Sequence, residues 1–116
     1  MCGILGGNSF KDIQSVKDGL ASIMHRGTDG NVIFHFKKND FFLCHNRLSI
    51  QDLSETATQP LISEDEKFVL AFNGEMWKPF FKKFNKKLRE KYNFKTDKSD
   101  SELLLYYLID NRDNIL

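Results

Sequence analysis

The spacing of apolar positions changes several times along this chain, and each change marks an element. Cys2-Gly3-Ile4-Leu5-Gly6-Gly7 is a short apolar run closed by glycines, which predicts a buried first strand. Ser9, followed three positions later by Asp12, reads as a helix start, and Ile13, Val16, Leu20, Ile23 and Met24 then recur at helical spacing. Asn31 to Lys37 alternates, with Val32, Phe34 and Phe36 on one side, as a half-buried strand does. Phe41 to Leu48 and Lys67 to Asn73 are two further strands. Trp77, Phe80, Phe81, Phe84 and Leu88 form the apolar stripe of a second helix. Ser99-Asp100-Ser101-Glu102 is a capping box in front of a third. The order β, α, three strands, α, α predicts a mixed α+β layered fold.

The third helix carries Leu103, Leu104, Leu105, Leu108 and Ile109, and no closing strand follows to cover them. The 116 residues therefore read as one domain, 1–116, that needs more chain to complete it. Left uncovered, that apolar face should drive self-association into a homo-oligomer or leave stability marginal, since each exposed side chain forgoes roughly 1.5–3 kcal/mol.

Composition narrows the possibilities. Hydrophobic residues at 41% and charged residues at 28% are close to globular averages, which argues against disorder. The formal charge of +1 gives no general reason to expect nucleic acid as partner. No apolar run approaches the ~20 residues of a membrane-spanning helix, and no secretory signal opens the chain. Two cysteines are too few for a disulfide framework, so a reduced, cytoplasmic setting is expected. Residues 78 to 98 hold nine basic residues against two acidic ones, with aromatics among them, a nucleic-acid-binding pattern. Those aromatics, however, keep the spacing of a core stripe, and lysines are the ordinary solvent face of such a helix.

Several residues have chemical potential. Cys2 follows the initiator Met1; removing Met1 leaves a cysteine whose own α-amine, with a pKa of ~7.7–8.0, is tethered to the thiol it must activate. Asn73-Gly74-Glu75 follows a predicted strand, where a side-chain amide and a backbone N–H can form an oxyanion hole, although an Asn-Gly pair is also an ordinary turn. Arg47 presents a planar fork suited to a carboxylate, or is simply a surface arginine. Asp100 begins a helix, where it caps or offers a counter-charge to an ammonium. His25, His35 and His45 lack metal-ligand spacing, and no metal site is assigned.

The set in order carries more than its members. Met1-Cys2-Gly3-Ile4, His25-Arg26-Gly27-Thr28-Asp29-Gly30, His45-Asn46-Arg47-Leu48-Ser49-Ile50, Gln59-Pro60-Leu61, Phe72-Asn73-Gly74-Glu75 and Ser99-Asp100-Ser101-Glu102 together resemble the class II glutamine amidotransferase domain. Within that superfamily they look most like the glutaminase domain of asparagine synthetases, which typically read His-Arg-Gly-Pro-Asp-Gly where this chain has Thr28 in place of proline. The resemblance runs from Met1 to about Leu108.

The resemblance implies an αββα sandwich of the N-terminal nucleophile hydrolase type, of which these residues would be the N-terminal part. It implies an enzyme that hydrolyses the side-chain amide of glutamine and supplies ammonia for an asparagine-synthetase-like amide transfer. Cys2 would be the nucleophile and its amine the base, with Asn73 and the Gly74 N–H as oxyanion hole. Arg47 would bind the carboxylate of L-glutamine and Asp100 its ammonium, with Glu75 and the backbone near Leu48 and Ile50 lining the pocket. That step needs no cofactor. ATP and magnesium belong to a synthetase domain, absent here, that would be the remainder of the chain or a partner. Two features depart from the family. It usually continues Asn-Gly-Glu-Ile-Tyr-Asn, whereas this chain reads Asn73-Gly74-Glu75-Met76-Trp77-Lys78, placing a lysine beside the pocket. The family's glutaminase domain also runs further. The competing reading is a non-catalytic truncated domain that serves as an interaction module.

Overall fold

Strand β1 (Gly3–Gly7) pairs antiparallel with β3 (Phe41–Arg47), and β3 pairs antiparallel with β2 (Gly30–Phe36), giving the order β1-β3-β2. The computed structural model describes residues 1–48 and 57–115. β3 is central because it is the strand whose residues are apolar or hydrogen-bonded at nearly every position. Side chains alternate across a strand, so Phe42, Cys44 and Asn46 share one face. Helix α1 (Ile13–Ser22) lies on that face and buries Val16 and Leu20 against Phe42 and Cys44, with Leu5, Phe10, Ile23 and Ile33 around them. Asn46, fully buried, donates from Nδ2 to the Leu20 carbonyl at 2.9 Å and so satisfies a carbonyl at the end of α1.

The described chain divides into two compact units, each taken here by itself. The first holds this sheet, α1 and the short stretches 58–60 and 71–73. The second holds residues 61–70 and 74–115. It contains a small hairpin, β4 (Leu61–Ile62) with β5 (Val69–Leu70), then helices α2 (Lys78–Lys91), α3 (Asp100–Asp110) and the short α4 (Arg112–Ile115). The mixed α+β class expected from the pattern is the one observed. Among the described residues no helix is long and apolar enough to cross a membrane.

Some expectations need correction. The apolar run of α3 is covered in part: Leu103 and Leu105 are buried at 0% and 4% exposure, and Tyr106 at 2%, while Leu104, Leu108 and Ile109 are half-buried. That cover comes from chain that precedes α3, namely α2 and the β4–β5 hairpin. Phe80 and Phe84 of α2 meet Tyr107 edge-on at 4.8 and 4.9 Å, and Tyr92 stacks on Tyr106 at 4.6 Å, so these aromatics are half-buried against α3. Trp77 is not part of that stripe; it is the N-cap of α2 and 75% exposed. Ile13 and Met24 are likewise exposed ends of the α1 pattern.

Helix α1 begins after Asp12 rather than Ser9, because the Asp12 carboxylate caps the Ser15 N–H at 2.7 Å. The strand expected over Lys67 to Asn73 shrinks to Val69–Leu70. Ser99 caps α3 through the Glu102 N–H, but Glu102 does not complete the reciprocal box. Its buried carboxylate instead accepts from the Lys95 and Thr96 N–H groups and the Thr96 hydroxyl, fixing the loop between α2 and α3.

Candidate active site

Antiparallel pairing places the start of β1 beside the end of β3. The register Gly3↔Asn46 brings the residue before β1, Cys2, to the level of Arg47, and the start of β2 joins them because Gly30 also pairs with Arg47. Three element ends therefore converge on one edge of the first unit. A hydrogen bond from the Asp29 N–H to the Arg47 carbonyl at 2.9 Å fastens the third of them.

Cys2 is held on four sides. Its backbone nitrogen donates to Asn73 Oδ1 at 3.0 Å. Its thiol lies against the backbone of Leu48: the Leu48 N–H donates to Sγ at 3.4 Å, and Sγ–H points to the Leu48 carbonyl at 3.7 Å. Its carbonyl accepts from Arg26 Nε at 3.1 Å. Cys2 and Arg26 are both half-buried, whereas Asn73 is exposed. Because Asn73 presents its oxygen to Cys2, the other end of its amide, Nδ2, is the donor end. A cavity of about 260 Å³ opens at this edge, with Met1, His25, Arg26, Thr28 and Leu48 in its wall.

Arg47 is half-buried and donates from Nη1 to the Thr58 hydroxyl at 2.9 Å, which fixes the direction of its guanidinium. Gln59 next to it accepts the Phe72 N–H through Oε1 at 2.5 Å, and that bond ties down the residue preceding Asn73. The first unit thus brings together Cys2, Leu48, Arg47 and Asn73 from the expected set. Gly74, Glu75 and Asp100 fall in the second unit. There Gly74 and Glu75 are exposed, while Asp100 is half-buried in the first turn of α3 and accepts the Met76 N–H at 2.9 Å. Ile50 lies outside the described residues.

Arg26, Gln59 and His45 stand in motifs of the sequence but were given no role at the site, and Thr58 was not noticed. Arg26 was legible as part of His25-Arg26-Gly27, but nothing in the spacing says that it would reach 24 residues back to a backbone carbonyl. His45 is 2% exposed, and neither ring nitrogen has a hydrogen-bond partner among the described residues. Burial lowers its pKa, the Arg47 charge works the same way, and the nearby Phe72 backbone opposes them without making a bond of ordinary geometry, so the ring stays neutral. Among the described residues no group of three or more His, Cys, Asp or Glu side chains is placed to hold a metal ion.

Gly27 explains how the Arg26 segment comes so close. A Cβ at Gly27 would lie 2.5 Å from the Asn46 carbonyl oxygen and 2.7 Å from the Arg47 carbonyl carbon. Both are backbone atoms of the central strand, so neither can rotate aside. Gly27→Ala is expected to destabilise the protein by about 1–3 kcal/mol, read as a lower urea midpoint at unchanged slope. An unaltered midpoint would show that the two segments are not in contact.

Comparison with known proteins bears on this arrangement. A family described as a glutamine amidotransferase domain matches residues 1–114. A probable asparagine synthetase (glutamine-hydrolyzing) of Schizosaccharomyces pombe is 39% identical over 113 residues, covering 91% of this chain and 19% of the relative. A second, of Dictyostelium discoideum, is 36% identical over 127 residues, covering 100% of this chain and 21% of the relative. Asparagine synthetase (glutamine-hydrolyzing) 1 of Bacillus subtilis is 35% identical over 113 residues, covering 90% and 17%. The chain spans about a fifth of the length of these relatives. No solved structure matches it.

Proposed function

From a chain that belongs to the glutamine amidotransferase domain family, we infer that Cys2, once Met1 is removed, hydrolyses the side-chain amide of glutamine and releases ammonia. The observation that carries this reading is the setting of Cys2. Its nitrogen is held by Asn73 Oδ1 at 3.0 Å, while its thiol rests on the Leu48 backbone. With Met1 attached, that nitrogen is an amide and has no basic lone pair; it stands where the free α-amine of the processed protein would be. The amine can keep one N–H on Asn73 Oδ1 and turn its lone pair to the thiol. Met1 is 70% exposed and therefore accessible to an aminopeptidase. It also lines the 260 Å³ cavity, so its removal gives a substrate more room.

In the proposed cycle the amine takes the thiol proton, and sulfur attacks the amide carbon of glutamine. The carbonyl oxygen becomes an oxyanion, for which Asn73 Nδ2 and the Gly74 N–H are the candidate donors. Collapse of the tetrahedral intermediate breaks the C–N bond. The departing nitrogen takes the proton from the α-ammonium and leaves as ammonia. Water then attacks the thioester, glutamate leaves, and the thiol is restored. The resemblance assigns the α-carboxylate to Arg47 and the α-ammonium to Asp100, with Leu48 and Glu75 as further substrate-binding residues. The fold would be the αββα sandwich of the N-terminal nucleophile hydrolases. We place the use of the ammonia, and the ATP and magnesium that activating an acid requires, in further chain or in a synthetase partner. The glutaminase half-reaction itself calls for no cofactor in this reading.

A glutaminase assay on Met1-free protein, reading ammonia and glutamate together, tests the reading. Equal amounts of the two products are expected. Asn73→Ala should lower kcat by about 10²–10³, because it removes an oxyanion donor and the hydrogen bond that orients the amine. Full activity in Asn73→Ala would remove that residue from the mechanism.

A further inference from the structure

We propose that Lys78 determines how strongly this chain selects for an α-amine, by weakening the attraction between Asp100 and a substrate ammonium; the inference rests on the glutamine reading above. The Met76 N–H donates to Asp100 Oδ2, which ties the segment entering α2 to the first turn of α3. Lys78, two residues further on, therefore shares a cavity of about 330 Å³ with Asp100. Glu75, Lys82 and Lys98 stand in the same wall. The wall thus holds three lysines and two carboxylates, so the surroundings of Asp100 carry a net positive charge. The N-terminus of α2 adds to it with the same sign, because its N-cap, Trp77, supplies no side-chain hydrogen bond to the first turn. A cationic guest is thus received by a carboxylate whose neighbours repel it. Lys78 is the lysine that lies closest in sequence to Met76.

The size of the effect follows from Coulomb's law. Like charges about 6 Å apart, at an effective dielectric between surface and bulk values, correspond to roughly threefold to tenfold in affinity. Lys78→Asn in the Met1-free full chain should lower KM for glutamine by roughly that factor. KM for a glutamine analogue without the α-amine should not move. In about 1 M salt, where the screening length is ~3 Å, the difference between variant and wild type should collapse. Lys83→Asn is the control, since Lys83 sits on α2 over the Phe84 ring and outside the cavity wall.

An unchanged KM for glutamine in Lys78→Asn overturns the proposal, as does an equal gain for the analogue. Calorimetric titration with glutamine separates this outcome from failure of the hydrolysis reading. If neither protein hydrolyses glutamine, the reaction assignment falls, but tighter glutamine binding by Lys78→Asn still supports the role of Lys78. Binding that is equal in the two, or absent from both, overturns it.

Discussion

Arg47→Ala should weaken glutamine hydrolysis by roughly thirty- to several-thousand-fold in kcat/KM, the equivalent of ~2–5 kcal/mol for removing one partner of a buried charge pair. An exposed pair would give only about 0–1 kcal/mol. Arg47 qualifies for the larger range because it is half-buried and its guanidinium is already directed by the Thr58 hydroxyl at 2.9 Å. A guanidinium held in this way loses little further freedom when it grips a carboxylate. Asp100→Ala should cost a similar amount. Since Asp100 also accepts the Met76 N–H, Asp100→Asn is the companion variant that can keep this bond while removing the charge. The control substrate is again a glutamine analogue without its α-amine. Wild type should discriminate against it, and both Asp100 variants should discriminate far less. If they retain the wild-type preference, Asp100 is a structural residue of α3 and the ammonium is bound elsewhere.

Much of this arrangement could be read from the sequence, for identifiable reasons. Strong periods, such as the alternation through Val32, Phe34 and Phe36, or the stripe through Phe80, Phe84 and Leu88, report the type of element, and those elements form close to where expected, although of these residues only Leu88 is buried. Cys2, Arg47 and Asn73 were singled out by chemistry and order, and the first unit brings them to one edge through the register of β1 on β3. Long-range satisfaction of polar groups was not legible. That Arg26 donates to Cys2, Asn46 to Leu20 and the Phe72 N–H to Gln59 depends on which loops meet, and no local pattern encodes it. The same limit explains the error at α3. Leu103 and Leu105 looked uncovered because their cover, the β4–β5 hairpin and α2, comes from weakly patterned or strongly charged chain upstream. Glu102 shows a milder form of the problem. Its spacing from Ser99 fits a capping box, yet a better set of donors at Lys95 and Thr96 claims the carboxylate.

The central claim is that Cys2 acts only as a free N-terminal residue, and the effect predicted here is complete loss of activity when it is not. In the Met1-bearing chain the Cys2 nitrogen is an amide, which cannot accept the thiol proton, so no general base adjoins the nucleophile. Cys44 provides an internal comparison: it is fully buried in the core under α1, and burial pushes its thiol pKa up, so it should react slowly. The most direct measurement pairs intact-mass analysis and peptide mapping with an ammonia assay. It compares one preparation that has lost Met1 with another made while methionine aminopeptidase is inhibited, each treated with a glutamine-like electrophile. The Met1-free protein should release ammonia, take up one label on Cys2, and lose activity in proportion to labelling while Cys44 stays unmodified. The Met1-bearing protein should release none. Ammonia release from protein that fully retains Met1, or modification of Cys44 ahead of Cys2, would contradict the assignment.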